Sequence, residues 1–449
     1  MSTDRLSAPR AVVRIARRLE EAGFETWAVG GCVRDALAGR PAGDWDLTTR
    51  ARPAQVRRLF RRTVPIGIEH GTVGVLSKDG TLYEVTTFRR DTETDGRHAV
   101  VAFADRVEDD LARRDFTINA IAWHPLREEI LDPFGGRADL ESGILRAVGK
   151  PARRFAEDHL RVLRALRFAG LFGLRIEPAT WEALRADAAH LERLSAERVR
   201  EELLKVLEAD PAPSAVLRAY RESGALAVLY PELQALPEDG SAWRGILATA
   251  DRLPRSRPLL RLAALLRPLS REAAATLLVR LRLSNAQVDE LALRAAAPPL
   301  PAPDAPDEAY RRWLAEVGAE RVAGVSRIEL AEARSGASGR DPRDVVAAWR
   351  RARAVRSARP PLTVADLELD GRDLIRLGLK PGPRFGILLD ALLDWVLEDP
   401  ARNEPERLSE HVMALAAETP SGGEGHGRAS AQATPLSEPP APPGRGHDV

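Results

Sequence analysis

The chain has 449 residues, a formal net charge of +1 and 30% charged residues. Its length suffices for two or three domains with their own cores. Its near-zero charge identifies no nucleic-acid partner, so an RNA-binding surface would have to come from local clusters of arginine. A single cysteine excludes an internal disulfide and a multi-cysteine zinc site, and no apolar run reaches about 18 residues. We therefore expect a soluble, cytoplasmic protein.

The N-terminal part predicts a helix and then a strand–turn–helix unit. Residues 8–23 have apolar positions at helical spacing and end at a glycine. Residues 27–49 (WAVGGCVRDALAGRPAGDWDLTT) predict a short apolar strand, a turn at Gly30 and Gly31, a short helix, a polar loop and a second strand. Glycines let backbone N–H groups approach a phosphate closely, and the helix after them directs its positive end the same way. Arg34, in that helix, adds a guanidinium fork for a phosphate oxygen.

Two carboxylates follow on the second predicted strand. Asp44 and Asp46 are two positions apart, so their side chains project to the same face of a strand. Carboxylates held that close repel each other unless a cation lies between them, and Mg²⁺ is the usual one. A Gly-Gly turn or an Asp-x-Asp pair alone is more often a plain turn or a solvated strand end. Together, in this order, they predict a phosphate cradle beside a metal site.

The order GG-x-VRD, a spacing of nine from Asp35 to Asp44, and DWD resembles the signature of the polymerase-β-like nucleotidyltransferases. It is similar in particular to the class II branch, which holds bacterial tRNA nucleotidyltransferases (CCA-adding enzymes) and poly(A) polymerases. The resemblance implies a nucleotidyltransferase head in which Asp44 and Asp46 hold Mg²⁺.

A β-hairpin is predicted next. Residues 71–90 alternate around the turn tripeptide Lys78-Asp79-Gly80, and Glu84 falls on the second strand. Because the superfamily often has a third carboxylate near its metal pair, the resemblance makes Glu84 a candidate catalytic residue; a glutamate facing solvent is an equally good interpretation. The polar residues 91–107 predict a mobile loop that closes on substrate.

The run RRDFTINA forms the second motif. Arg114 and Asp115 lie at a predicted helix start, with Asn119 one turn later. An isolated Arg-Arg-Asp is usually a solvated helix face, but the run matches the family motif for triphosphate and ribose contacts. The resemblance assigns Arg114 to phosphate, and Asp115 with Asn119 to the ribose, whose 2′-hydroxyl is both donor and acceptor.

Residues 153–174 predict one helix, on which Asp158, Arg161, Arg164 and Arg167 recur every three residues and share a broad face. A salt-bridged, solvated helix is the plainer interpretation. The stretch matches the family's EDxxR motif, which serves as a protein template for the incoming base. An ionised Asp only accepts hydrogen bonds and an Arg only donates them, so Asp158 with Arg161 complements cytosine and adenine and leaves groups of uracil and guanine unpaired. Arg164 and Arg167 are expected to reach the triphosphate or the base edge.

The rest of the chain is predicted to be helical. Many bacterial relatives carry a metal-binding HD phosphohydrolase segment, but residues 259–285 have Arg267-Pro268 where a His-Asp pair is expected, so we expect no phosphohydrolase activity. Residues 361–400 resemble the tail module of bacterial CCA-adding enzymes.

The predicted fold class is α+β, with a small N-terminal mixed β-sheet nucleotidyltransferase head followed by an elongated all-helical neck, body and tail. The predicted boundaries are 1–147 for the head, 148–210 for the neck with its base-selecting helix, 211–357 for the body, 358–417 for a tRNA-binding tail and 418–449 for a disordered extension.

The resemblance implies an enzyme that adds C, C and A to the tRNA 3′ end from CTP and ATP without a nucleic-acid template and releases pyrophosphate. Its implied cofactor is Mg²⁺, and its implied partner is the acceptor end of tRNA, with no membrane; the oligomeric state stays open. A CC-adding or A-adding enzyme and a poly(A) polymerase are alternatives within the same chemistry. A non-catalytic RNA-binding protein is an alternative of another class, against which the intact DWD and RRD argue.

Overall fold

The computed structural model describes residues 6–94, 99–208, 212–237 and 240–418. These residues form two compact units. The first combines the described residues up to Pro303 with Glu320–Trp349, and the second combines Asp304–Ala319 with those from Arg350 onwards. The predicted C-terminal extension lies outside the described residues, apart from Glu418. The finer division into head, neck, body and tail stays a prediction.

A mixed β-sheet dominates the N-terminal part. The strands are β1 Thr26–Val29, β2 Asp46–Thr49, β3 Thr63–Pro65, β4 Thr72–Leu76, β5 Leu82–Thr87, β6 Arg89–Thr94, β7 Ala99–Phe103, β8 Ala122–His124, β9 Glu129–Leu131, β10 Ile144–Leu145 and β11 Arg175–Ile176. Seven of them form one sheet in the order β3-β4-β5-β2-β1-β8-β9. Within that sheet β2 and β5 pair in parallel, and the other neighbours pair antiparallel.

Helices make up most of the remainder. They are α1 Arg10–Glu21, α2 Gly31–Leu37, α3 Pro53–Leu59, α4 Val107–Ala112, α5 Gly136–Glu141, α6 Pro151–Glu157, α7 Leu160–Phe172, α8 Pro178–Asp187, α9 Ala196–Leu207, α10 Pro213–Ser223, α11 Ala225–Leu229, α12 Pro231–Gln234, α13 Ser241–Arg252, α14 Pro258–Leu265, α15 Arg271–Arg280, α16 Asn285–Ala296, α17 Asp307–Val317, α18 Val322–Ser335, α19 Pro342–Ser357, α20 Gly371–Arg376, α21 Arg384–Glu398 and α22 Pro405–Glu418. Short 3₁₀ helices occupy Ile68–His70, Thr117–Asn119, Ala188–Arg193, Val364–Asp366 and Pro400–Arg402. No helix in the described part of the chain is long and apolar enough to cross a membrane. The predicted fold class, a mixed-sheet head followed by helices, is confirmed.

The central strand β1 is buried on both faces, because its residues alternate between two hydrophobic cores. Trp27 and Val29 pack in a core with Leu111 of α4. Ala28 faces the opposite core, in which Val12 of α1 also packs. The sheet is therefore covered on both sides around β1.

The segment predicted as a mobile loop contains a two-stranded antiparallel ribbon, β6 with β7. Residues 95–98, between the strands, lie outside the described part. The register shifts between Asp91 and Glu93. Such a bulge interrupts the alternation from which strands are predicted, which explains why the sequence pattern did not indicate them.

The single helix predicted over residues 153–174 is two helices, α6 and α7. Asp158 lies between them with extended backbone angles, φ −157° and ψ 106°. Its Oδ1 accepts a hydrogen bond of 3.1 Å from the backbone N–H of Leu160. An aspartate that binds the backbone in this way competes with helix hydrogen bonds, so it starts a new helix instead of continuing the old one.

The second motif likewise follows a helix instead of opening one. Helix α4 ends at Ala112, and Arg113 is its C-cap. Asp115 then precedes the 3₁₀ helix Thr117–Asn119, and its Oδ1 accepts a 2.8 Å hydrogen bond from the N–H of Phe116. The predicted helix start at this motif is therefore wrong, although the spacing of its residues places them together.

One core joins the end of the sheet region to the helices that follow. Phe116 and Ile118, beside the second motif, are fully buried with Leu163 and Leu166 of α7. This shared core sets α7 against the strand ends. The second unit has a core of its own, in which Leu374, Leu392 and Leu408 pack.

Candidate active site

A cavity of about 470 Å³ lies where the sheet region meets α7. The predicted site residues that line it are Gly30, Gly31, Arg34, Asp46, Arg114, Asp115, Asn119, Asp158, Arg161 and Arg164. Arg89, Arg113 and Phe168, which the sequence analysis did not select as site residues, line it as well. Three motifs far apart in the chain thus face one space, large enough for a nucleotide.

The acidic residues gather where β2 and β5 lie side by side. The parallel register pairs Leu47 with Val85, so Asp46 and Glu84 precede them at neighbouring positions of β2 and β5. The sequence predicted Asp44 on the second strand, but the residue is exposed in the loop before β2. Glu84 is exposed too. The three carboxylates therefore belong to one corner, although only Asp46 lines the cavity.

The surroundings of Asp46 shift the pKa of its carboxyl group. Its pKa is raised to about 6, because the walls of the cavity remove part of its hydration and because Glu84 and Asp44 add negative charge, against the opposing effect of Arg114. The Asp46 carboxylate nevertheless keeps contact with solvent. A divalent cation that prefers oxygen ligands would relieve the repulsion between these carboxylates, and they are still accessible from solvent. These residues therefore fit such an ion.

The glycine turn packs directly against Arg114. Gly30 has φ 78°, and a Cβ there would lie 2.8 Å from Nη1 of Arg114. The guanidinium is held by two long contacts: Nη1 donates to the Asn119 carbonyl at 3.3 Å and Nη2 to Asp110 Oδ2 at 3.4 Å. Its Nε is buried and has no hydrogen-bond partner among the described residues. Arg114 therefore keeps donor capacity beside the turn.

A continuous chain of polar contacts connects α2 to α7. Arg34 Nη1 donates to Asn119 Oδ1 at 2.7 Å, and Asn119 Nδ2 donates to Asp115 Oδ1 at 2.9 Å. Arg164 Nε completes the chain by donating to Asp115 Oδ2 at 2.8 Å. Because each member is bound on both sides or anchored in a helix, the arrangement is rigid before any ligand arrives.

Burial and pairing shift the pKa values of the residues in this series of polar contacts. Burial alone would raise the pKa of Asp115, but Arg164, Asn119 and the Phe116 N–H together lower it to about 2. Burial lowers the pKa of Arg34, and the adjacent Asp35 opposes that effect. The Arg34 guanidinium also stacks over Phe172, 4.4 Å from the ring centroid.

The predicted base-selecting residues line the cavity without pairing with each other. Asp158 Oδ2 accepts a 2.8 Å hydrogen bond from Arg198 Nη2 of α9. Arg161 Nη1 donates to Glu157 Oε2 at 2.8 Å, and its Nη2 donates to the Arg113 carbonyl at 3.1 Å. Each is thus positioned by a partner that sequence reasoning missed. Arg198 is separated from Asp158 by 40 positions, and nothing in the local pattern indicates it.

Arg167 lies away from the cavity. It is buried, and its Nε donates to Glu202 Oε2 at 2.7 Å. The reason is helical geometry: steps of three residues fall short of a full turn, so the sixth residue after Arg161 is displaced by about 120° around the axis. Arg161 and Arg164 stay on the cavity side, and Arg167 turns to α9.

The fold and the site define the class of the protein. Residues 26–146 match the family described as the poly A polymerase head domain, and residues 173–236 match the one described as a probable RNA and SrmB-binding site of polymerase A. The N-terminal unit thus carries a nucleotidyltransferase head of the poly(A) polymerase type.

Relatives that match most of the chain identify a narrower family within this class. The CCA-adding enzyme of Limosilactobacillus fermentum is 36% identical over 402 residues, covering 88% of this chain and 94% of that protein. The CCA-adding enzyme of Geobacillus kaustophilus is 36% identical over 406 residues, with 89% and 95% covered. The crystal structure of the Bacillus stearothermophilus CCA-adding enzyme in complex with CTP superposes with a TM-score of 0.70 at 32% identity, covering 92% of this chain and 99% of that one. The chain belongs to the family of CCA-adding enzymes, which confirms the resemblance.

Proposed function

We propose that this chain adds C, C and A to the 3′ end of tRNA from CTP and ATP without a nucleic-acid template and releases pyrophosphate. One observation carries the proposal: a single cavity is lined by Asp46 of the acidic corner, Arg114 of the second motif and Asp158 of the base-selecting motif. A nucleotide in that cavity would meet groups suited to its metal-bound phosphates, its ribose and its base at once. The similarity to CCA-adding enzymes over most of the chain supports the same reaction.

The acidic corner would hold Mg²⁺. Asp44 and Asp46 are the proposed ligands, with Glu84 as a third carboxylate beside them. The raised pKa of Asp46 supports this assignment, because burial and the charges of Glu84 and Asp44 disfavour an ionised carboxylate that a bound cation would stabilise. Held by these residues, the ion would supply activation of the primer 3′-hydroxyl and neutralisation of charge on the triphosphate.

The phosphates would lie beside the glycine turn and the Arg114 guanidinium that packs against it. The backbone at Gly30 and Gly31 permits a close approach because neither residue has a side chain. Arg114 lines the cavity, and its Nη1 and Nη2 each have a second N–H beyond the ones that bind Asn119 and Asp110. Arg34 supplies positive charge, although its hydrogen bonds to Asp35 and Asn119 make it a fixed part of the wall.

The ribose would contact Asp115 and Asn119. Because the pKa of Asp115 is lowered to about 2, its carboxylate is ionised at neutral pH and accepts hydrogen bonds only. The two oxygens of Asp115 already accept from the Phe116 N–H, Asn119 Nδ2 and two nitrogens of Arg164, which is about the four bonds that a carboxylate can accept. A 2′-hydroxyl would therefore replace one of these donors or accept from the second N–H of Asn119 Nδ2. Arg164, bound to the same carboxylate, keeps it in place.

Asp158 and Arg161 would select the base. The Asp158 carboxylate accepts from the amino group of cytosine or adenine, and Arg161 donates to the adjacent ring nitrogen. Uracil and guanine present the reverse order on that edge, so a buried group would stay unpaired at a cost of about 1–3 kcal/mol. Glu157 and Arg198 hold the two side chains at the cavity wall.

The acceptor end of tRNA is the proposed second substrate, with the helical body and the tail as RNA-binding surfaces. The division into head (1–147), neck (148–210), body (211–357) and tail (358–417) belongs to this proposal. So does a cytoplasmic location, which the single cysteine of the chain supports.

The experiment uses tRNA that ends at the discriminator base, incubated with each nucleoside triphosphate and with CTP plus ATP, followed by sequencing of the 3′ ends. We expect CCA. A product that stops at CC, a product of A alone, or a long A tract would replace the proposal with one of the alternative nucleotidyltransferases.

Variants test the proposed metal ligands in the same assay. Asp44→Ala and Asp46→Ala should each lower incorporation by more than about a hundredfold and leave tRNA binding unchanged. Asp109→Ala, at an exposed position of α4, is the matched control. Normal incorporation by both variants would refute the metal role.

A further inference from the structure

A compact group of two histidines and one aspartate lies beside the base-selecting segment. His159 is the N-cap of α7 and directly follows Asp158. Asp187 ends α8, and His190 lies in the 3₁₀ helix Ala188–Arg193. His159 is 4% exposed and Asp187 is 8% exposed, whereas the His190 side chain is 44% exposed. The cluster is buried on one side and reachable from solvent on the other.

The nitrogens of both imidazoles converge on one carboxylate. His159 Nδ1 lies 2.7 Å from Asp187 Oδ2, and His190 Nδ1 lies 3.2 Å from Oδ1 of the same residue. The two rings stack with centroids 5.1 Å apart and planes 27° apart. One ligand atom from each of the three residues lies within 4.8 Å of the other two.

These distances are close to those of a metal site. Zinc–ligand bonds of about 2.0–2.1 Å place the ligand atoms of a tetrahedral site about 3.3 Å apart. The 3.2 Å between His190 Nδ1 and Asp187 Oδ1 is close to this value. The 2.7 Å between His159 Nδ1 and Asp187 Oδ2 is shorter, so binding an ion would require these two side chains to move apart slightly and the half-exposed His190 ring to rotate. Asp187 and His190 stand at i and i+3, the spacing of the Glu-x-x-His ligands in carboxylate–histidine metal proteins.

Charge favours a cation here. Asp187 brings one mostly buried carboxylate charge, and His159 and His190 bring two imidazole nitrogens that face it. A divalent ion balances that charge and uses all three donors. Two imidazole nitrogens and one carboxylate suit zinc and its neighbours in the first transition row, whereas Mg²⁺ prefers oxygen ligands alone.

We propose that His159, Asp187 and His190 bind a divalent transition-metal ion of the zinc class. The ion would connect the end of α8 to the junction between α6 and α7, one residue from Asp158. Three protein ligands leave a coordination position for water. The proposed role is to hold the junction that presents Asp158, and it does not depend on the reaction that the cavity carries out.

The test uses the full chain, stripped with a chelator and dialysed, and titrated calorimetrically with Zn²⁺ in excess Mg²⁺ so that the acidic corner is occupied. His190→Gln and Asp187→Asn are the test variants; His190 is half-exposed, so its replacement keeps the test valid if the buried Asp187 variant does not fold. His411→Gln, a histidine of the second unit that stacks on Trp395, is the control. Co²⁺ absorption in the visible range gives an independent readout of nitrogen ligands.

We expect the wild type and His411→Gln to share a Zn²⁺ site that His190→Gln weakens more than tenfold, together with a loss of the Co²⁺ spectrum. Zn²⁺ should raise the thermal midpoint of the wild type and not that of His190→Gln. Equal Zn²⁺ affinity in wild type and His190→Gln, or no binding to the wild type at millimolar Zn²⁺, would overturn the proposal. The cluster would then be a hydrogen-bonded triad without an ion.

Discussion

Arg198 Nη2 donates a hydrogen bond of 2.8 Å to Oδ2 of Asp158. The contact joins α9 to the extended residue between α6 and α7, and it turns the proposed base-reading carboxylate into the cavity wall. Because Asp158 lies outside both helices, its direction depends on this partner and on the Leu160 N–H. Arg198 is therefore a positioning residue in our proposal, acting through Asp158.

Replacing Arg198 should weaken base selection more than it slows catalysis. In Arg198→Met the Asp158 carboxylate loses its partner, so we expect discrimination of CTP and ATP against UTP and GTP to fall about tenfold. The measurement is single-nucleotide incorporation on tRNA with each triphosphate, with KM and kcat separated. The exposed Arg185→Met of α8 is the matched control; unchanged discrimination in Arg198→Met would contradict the positioning role.

Asp46→Asn should stabilise the metal-free protein above pH 6. The folded-state pKa of about 6 exceeds the ordinary value of 3.8, so the fold favours the protonated form and its stability contribution is lost as the pH rises through about 6. The Asn variant carries no such charge, and we expect its thermal midpoint to exceed that of wild type at pH 7–8 and to converge with it near pH 4.

The measurement is thermal unfolding in chelator across that pH range, with Asp109→Asn as the control. Excess Mg²⁺ should reverse the order, because only the wild type gains from binding the ion. A wild type more stable than Asp46→Asn in chelator at pH 8 would show that burial and the neighbouring charges do not disfavour the ionised Asp46 carboxylate.

Asp115→Asn should destabilise the head–helix junction. The substitution leaves Arg164 without its ionised partner, and breaking a partly buried pair of this kind costs about 3 kcal/mol of unfolding free energy at pH 7. The pKa of Asp115 is lowered to about 2, so its contribution is present above the ordinary value of 3.8 and is lost as the pH falls towards 2.

Urea unfolding of Asp115→Asn, Arg164→Met and the double variant measures this coupling. We expect the two single changes to be non-additive by more than about 1 kcal/mol, and the difference between wild type and Asp115→Asn to shrink below pH 4. Additive effects would mean that the ion pair does not stabilise the junction.

Much of the head was predictable because its signals are local. The glycine turn, the acidic strand start and the hairpin around Lys78-Asp79-Gly80 each lie within a few residues, and strand alternation identified β4 and β5. The errors arose where a local rule was overridden. The Asp158 side chain binds the Leu160 N–H and separates α6 from α7, and the bulge in β6 hid the ribbon.

By itself the sequence determined that a mixed-sheet head precedes helices, because this follows from short-range periodicity. It also determined which contiguous motifs carry the candidate residues, because these motifs resemble those of the nucleotidyltransferase family. Only the tertiary structure decided which carboxylate pairs with which arginine when the two are far apart in the sequence. Asp158 pairs with Arg198 of α9 and Arg167 with Glu202 of α9, whereas Arg161 pairs with Glu157 at the local spacing i,i+4. From its place in the sequence an arginine could pair with any of several carboxylates. Which of them it meets depends on how the helices pack around their common core.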